Sequence, residues 1–282
     1  MVRLALFDID GTFLDSLGRV PECHKRALGL LNEALVPASF ITGRNRLSAM
    51  RVIGELREIE DLPIVFQNGA LITIGFTPKV LRMIHLRGEV ALAVYEISKE
   101  LNLTYVLYTD FFSSKDMVME KPYRGSGFED YFSSSSYRIV YDNPRKYVSE
   151  EVAQVAVVVP VSLESVFLKS LKESVSDKGA YSLVKTRVSD GEIFYEVFGP
   201  GVGKGRALSF LCNYFGVSPE EVMFVGDNYN DVSLFERVGY PVVMGNAPKD
   251  VKQMGTVAPS NDECGVLWAV ENVALGEKFS QG

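Results

Sequence analysis

Asp8 and Asp10 stand two residues apart at the end of a nearly continuous apolar run, Val2 to Phe7, and are followed by Gly11-Thr12. Residues two apart on a strand share a face, so the spacing predicts a same-facing carboxylate pair. Such a pair offers hard oxygen ligands to a divalent cation. One carboxylate can serve as a nucleophile that forms an aspartyl-phosphate, and the other as an acid/base for the leaving alcohol and for water. Gly11 permits a sharp turn. Taken alone, the string also reads as a solvated acidic turn. A second acidic string, Gly226-Asp227-Asn228-Tyr229-Asn230-Asp231, follows the apolar run Val222 to Val225. Asp227 suits a magnesium site, which needs one or two protein carboxylates, and Asp231 can orient or complete it. Taken alone, this string also reads as a helix cap. It departs from a calcium-binding loop because Tyr229 stands where Asp or Asn is required.

Two further segments bear on phosphate chemistry. Thr42-Gly43-Arg44 follows the short apolar run Ser39-Phe40-Ile41, and a hydroxyl with exposed backbone amides can hold phosphate oxygens. Lys204, between Gly203 and Gly205, can balance the charge of a transferring phosphoryl group. A nucleotide-binding Walker loop is excluded there, because Phe198 occupies its first glycine position and Gly205 its Ser/Thr position. The dinucleotide fingerprint fails likewise, with Arg206 or Lys204 where its third glycine belongs.

These residues need elements to position them. The three short apolar runs read as strands buried on both faces, as in a parallel sheet covered by helices. Helical patterns lie between them, one opening at Pro21-Glu22 and one spanning residues 202–215 before Gly216. The predicted fold class is therefore α/β, a doubly wound, mainly parallel sheet, with Asp8, Thr42 and Asp227 at strand carboxyl ends, where such sheets bind ligands. The middle of the chain differs. Helices near 88–101 and 163–175 and strands near 103–108, 138–141, 155–159, 181–186 and 193–198 predict an inserted α+β module, with Asp190-Gly191 as a turn. The expected division is 1–82 with 200–282 as the core and 83–199 as the insert. The four serines between Phe132 and Tyr137 read as a loop.

Composition narrows the classes. A chain of 282 residues is expected to form two domains, and a net charge of −7 argues against non-specific nucleic-acid binding. Arg44, Arg46 and Arg51 read as a solvated helix face. No apolar stretch is long enough to span a membrane. Three scattered cysteines outside any metal or redox spacing read as free thiols, and the cytoplasm is the expected location. Two histidines make His-activated nucleophiles a poor expectation.

Taken in order, Asp8-Ile9-Asp10-Gly11-Thr12, Thr42, Lys204 and Gly226-Asp227 with Asp231 resemble the four motifs of haloacid dehalogenase-like phosphohydrolases. Phe66-Gln67-Asn68-Gly69-Ala70 and the Asp227–Asp231 string are similar to the Cof-type subfamily, which carries a large α/β cap between its second and third motifs. The resemblance implies that Asp8 is the nucleophile and Asp10 the acid/base. It implies Mg2+ held by Asp8, the Asp10 backbone carbonyl and Asp227, with Asp231 holding Lys204 or a metal-bound water. Thr42 and Gly43 would hold the phosphoryl group and Lys204 would balance its charge. Thr12, Arg44 and Asn230 complete the expected substrate-binding set. Cap residues such as Tyr105, Tyr108, Lys115, Lys121, Tyr123 and Arg138 are candidates to select the leaving group. The expected partner is a small phosphorylated metabolite, a sugar phosphate foremost, with neither nucleic acid nor membrane; the sequence carries no signal of oligomeric state. A phosphomutase and a non-catalytic sugar-phosphate sensor are the competing readings. Mutases of this superfamily place a smaller cap after the first motif, and only about thirty residues separate Asp10 from Thr42. A sensor would tolerate loss of the nucleophile.

Overall fold

In a computed structural model that describes residues 1–276, the N-terminal apolar run forms β1 (Leu4–Phe7), with all four side chains buried. The chain divides into two compact units, Met1–Met83 with the segment from Gly203 onward, and Ile84–Val202. The divisions lie at 83/84 and 202/203.

The first unit is built on a five-stranded parallel sheet. Its order is Thr256–Val257, Tyr240–Val243, Val222–Gly226, β1 and β2 (Ala38–Phe40). Alternation along β1 serves two layers. Leu4 and Leu6 join Ala207, Leu208, Leu211 and Leu234 in one core. Phe7 points the other way, to Phe13 and Phe40, and Phe13 in turn meets His24 of α1 (Glu22–Glu33). Phe7 lies opposite both Val225 and Phe40, so Asp8 leaves the sheet between its two neighbouring strands. Beyond β2 an Ile41–Val65 bridge leads in parallel to β3 (Pro63–Phe66), which continues as an antiparallel meander.

The second unit is a six-stranded sheet in the order Ser182–Ser189, Glu192–Phe198, Gln154–Pro160, Thr104–Tyr108, Met117–Met119, Ile139–Tyr141. Only its last pair is parallel. Two helices, Gly88–Glu100 and Glu164–Ser174, cover one face, packing Val90, Val94, Phe167 and Leu171 on Val155, Val157, Tyr105 and Tyr195. The other face carries buried polar pairs. Arg138 makes two hydrogen bonds to Asp116, at 2.8 and 2.7 Å, and Glu196 accepts from Gln154 at 2.8 Å and from Thr186 at 2.6 Å. Arg138 is therefore held inside the unit, and the Tyr105 hydroxyl donates to the Ala91 carbonyl under the helices.

Two expectations are corrected here. The Phe132–Tyr137 stretch is not a loop: Glu129–Ser134 is helical and Ser136–Arg138 forms a 3-10 turn. Its serines have ordinary helix tolerance, and the anchors are aromatic, with Tyr131 5.2 Å from Phe194 and Phe132 4.6 Å from Tyr123. Nor are all three cysteines free thiols. Cys23 and Cys264 are disulfide-bonded across 241 residues, and only the buried Cys212 remains free. The pairing is invisible to local spacing because it needs α1 to lie beside the C-terminal helices. The free-thiol argument for a reducing compartment falls with it. No helix among the described residues is long and apolar enough to cross a membrane.

Thiol titration of the denatured, unreduced chain should find one thiol, and reduction should expose three. A bond closing so long a loop stabilises by about 2–5 kcal/mol. Reduction or Cys23→Ser should therefore lower Tm by roughly 5–15 °C in calorimetry; a melting curve indifferent to reductant would contradict the pairing.

Candidate active site

Asp8 follows β1 directly, and the chain then leaves strand geometry at once. Asp10 (φ −78°, ψ 124°) and Gly11 (φ 74°, ψ 0°) lie in a tight coil over Ile9–Phe13. The strand-alternation argument therefore does not carry past Phe7. The Asp8 carboxylate is buried, whereas that of Asp10 turns outward, its side chain 57% exposed. Gly11 is required twice over. Its φ is left-handed, and a β-carbon there would overlap the Asp227 carboxylate.

The coil is clamped from the far end of the chain. Asn246 Nδ2 donates to the Gly11 carbonyl and Asn261 Nδ2 to that of Leu14, both at 2.8 Å. The Ser16 amide donates to Asp262 Oδ1 at 2.8 Å. Sequence reading missed these residues, and nothing in their local sequence distinguishes them from loop residues.

Lys204 opens the Lys204–Phe215 helix and is almost fully buried. Its Nζ donates to Asp8 Oδ1 at 2.5 Å and to Asp231 Oδ1 at 2.6 Å. The other Asp231 oxygen accepts the amides of Asp227 at 3.0 Å and Asn228 at 3.1 Å. Asp231 is thus fixed by backbone and fixes Lys204 in turn. Asp8, Asp227 and Asp231 each present a carboxylate oxygen within 4.8 Å of the others.

Three buried carboxylates thus face one ammonium. Burial pushes the Asp8 carboxyl up to about 7; Lys204 opposes this, while Asp231 and Asp10 add to it. Burial, then the charges of Asp8 and Asp231, hold Asp227 well above the usual carboxylate range. Burial alone would lower Lys204, but the charges of Asp231 and Asp8 outweigh it and raise the ammonium's pKa. The excess negative charge on hard oxygen donors suits a divalent cation such as Mg2+.

The remaining expected residues divide. The Thr42 amide is taken by Val65 O at 2.9 Å, and its hydroxyl oxygen accepts the Arg44 amide at 3.0 Å, which leaves the hydroxyl proton to give. The Gly43 N–H has no acceptor among the described residues. Asn230 Nδ2 donates to Asn68 Oδ1 at 3.2 Å. Two of the expected substrate contacts are engaged elsewhere. The Thr12 hydroxyl donates to Asp227 Oδ1 at 3.1 Å in a buried position, so it serves that carboxylate. Arg44 is not on a solvated helix face: its Nε and Nη2 grip the Asp10 carboxylate at 2.7 and 2.6 Å. The guanidinium fork matches a carboxylate bidentately, and the helix begins only at Arg46.

A family model for haloacid dehalogenase-like hydrolases matches residues 5–270. The chain is 26% identical to 5-amino-6-(5-phospho-D-ribitylamino)uracil phosphatase YwtE of Bacillus subtilis, covering 98% of this chain and 99% of that one. It is 27% identical to the HMP-PP phosphatase of Klebsiella pneumoniae, over 89% of this chain and 87% of that one. A crystal structure of a haloacid dehalogenase-like hydrolase from Bacteroides thetaiotaomicron superposes with a TM-score of 0.78 over 97% of this chain and 100% of that one, at 24% identity, a likeness of fold.

The raised Asp8 pKa has a consequence for stability. Between the ordinary 3.8 and about 7 the folded chain keeps a proton that the unfolded chain releases. Asp8 therefore contributes stability that is complete below about pH 4 and is lost as pH rises through about 7. In EDTA, the urea midpoint of the parent should fall from about pH 5 to about pH 7.5 more steeply than that of Asp8→Asn. Parallel profiles for the two would refute the buried, undercompensated carboxylate.

Proposed function

The chain belongs to the haloacid dehalogenase-like hydrolases, and on that premise we propose that it is a Mg2+-dependent phosphatase that hydrolyses a sugar or polyol phosphate through an aspartyl-phosphate on Asp8. The observation that carries this reading is the buried Lys204 ammonium held between Asp8 and Asp231, with Asp227 alongside. That arrangement pins the nucleophile's carboxylate and leaves negative charge for a cation to offset.

Asp8 and Asp227, with the Asp10 carbonyl, would hold the cation. When bound, it supplies charge neutralisation for a phosphoryl group and for the Asp8 carboxylate that must approach it. The chain's own groups do the rest. An Asp8 oxygen forms a bond to phosphorus as the ester oxygen departs, and Asp10 gives that oxygen its proton. A water, losing its proton to Asp10, then attacks the phosphorus, and phosphate leaves as the Asp8 carboxylate is restored. The Arg44 fork sets where the Asp10 carboxylate stands. Thr42, the Gly43 amide, Asn230 and Lys204 supply donors to phosphoryl oxygens, the positioning and charge stabilisation that phosphoryl transfer chiefly asks of a protein. Asp231 acts through Lys204, since its own oxygens are taken by Lys204 and two amides.

The substrate class is supported by the relatives. The name of the B. subtilis phosphatase specifies a phosphorylated ribityl chain, and a phosphorylated sugar or polyol presents the same primary-alcohol phosphate. Assay of a sugar-phosphate panel and an aryl phosphate should give phosphate release that EDTA abolishes and Mg2+ restores. Asp8→Asn should lower kcat by more than about a thousandfold and Asp10→Asn by about 10²–10⁴. Asp8→Asn turning over at the parent rate would end the aspartyl-phosphate assignment, and EDTA-resistant turnover the metal assignment.

A further inference from the structure

After β3 the chain runs through three successive left-handed residues, Gln67 (φ 48°), Asn68 (φ 54°) and Gly69 (φ 106°). Gln67 and Asn68 are buried. Left-handed geometry is unfavourable for residues with side chains, though Asn tolerates it better than most. Such outliers persist where surrounding structure enforces them, and they gather at functional sites. Here the enforcement is visible. The Gln67 amide donates to Arg44 O and the Asn68 amide to Thr42 O, both at 2.9 Å. A β-carbon on Gly69 would sit 3.1 Å from Ala207 Cβ and 3.3 Å from Gly203 O. The turn is thus hooked under the Thr42–Arg44 loop and pressed against the start of the Lys204 helix.

With the turn's backbone held in this way, the Asn68 side chain does something separate. Its Oδ1 accepts Asn230 Nδ2 at 3.2 Å, across 162 residues of sequence. Asn230 lies beyond the Val222–Gly226 strand and Asn68 beyond β3, and β1 and β2 run between those strands. The bond therefore joins loops on either side of the strand ends that present Asp8 and Thr42. Both amides border Gly43, at 3.5 and 3.8 Å from where its β-carbon would lie.

We propose that Asn68 is a positioning residue for phosphoryl transfer. Its carbonyl oxygen takes one N–H of Asn230, and this turns the other, together with the Gly43 N–H, toward the phosphoryl group that Asp8 attacks. The inference rests on the phosphatase reading above. Glycine would satisfy the backbone at position 68 with less strain, so the side chain's contribution can be separated from the turn's.

The test uses the full chain with Mg2+, an aryl phosphate as substrate and orthovanadate as inhibitor. Asn68→Gly permits the left-handed backbone and removes the side chain, amide included. It should lower kcat/KM by roughly tenfold to a hundredfold, the worth of one hydrogen bond to a charged group, and weaken vanadate inhibition in step. A smaller folded fraction would leave the vanadate inhibition constant unchanged. Asn230→Ala should behave alike, and Asn68→Gly/Asn230→Ala should be no worse than Asn230→Ala alone, because Asn68 acts through Asn230. An Asn68→Gly enzyme with parental kcat/KM and vanadate inhibition, or losses that multiply in the double variant, would overturn the proposal and leave the phosphatase reading standing. A parent chain without Asp8-dependent phosphate release would overturn both.

Discussion

The arrangement around the site depends on one buried interaction, the Lys204 ammonium between Asp8 and Asp231. Taking these charges out of water is costly, and only close pairing with further hydrogen bonds offsets the loss. Each partner meets that condition differently. Lys204 is placed by the first turn of its helix. Asp231 is locked by the amides of Asp227 and Asn228. Asp8 is set by the register of β1 between β2 and the Val222–Gly226 strand. The balance is still negative, and burial first, with the neighbouring carboxylates adding to it, raises the Asp8 and Asp227 carboxyls. A site built in this way is incomplete without positive charge from elsewhere, whether a cation or protons.

Support for the site comes from parts of the chain that carry no chemistry. Asn246, Asn261 and Asp262 hold the coil after Asp8 and the chain that follows it. The Cys23–Cys264 bond ties that clamp to α1, whose His24 also faces the coil, with Nδ1 2.9 Å from the Phe13 carbonyl. On the other side, the left-handed turn at Gln67–Gly69 braces the Thr42–Arg44 loop. The coil after Asp8 and the Thr42–Arg44 loop are therefore each held by contacts from distant parts of the first unit. In the second unit the buried pairs Arg138–Asp116 and Gln154–Glu196–Thr186 satisfy one another, so an unpaired group from this set would cost its full desolvation.

Sequence alone determined the buried strands and the chemical strings. Apolar runs such as Leu4–Phe7 and Val222–Val225 are legible because a strand buried on both faces must be apolar at every position. The α/β class and the acidic strings at strand ends follow from that local rule. Tertiary structure decided the partners. Asp10 pairs with Arg44 and not with Asp8, because the coil departs from strand alternation after Phe7. Thr12 serves Asp227, Asn68 reaches Asn230 and Cys23 meets Cys264. These contacts join residues far apart in the chain, and a local pattern holds no record of which distant loop packing will bring alongside.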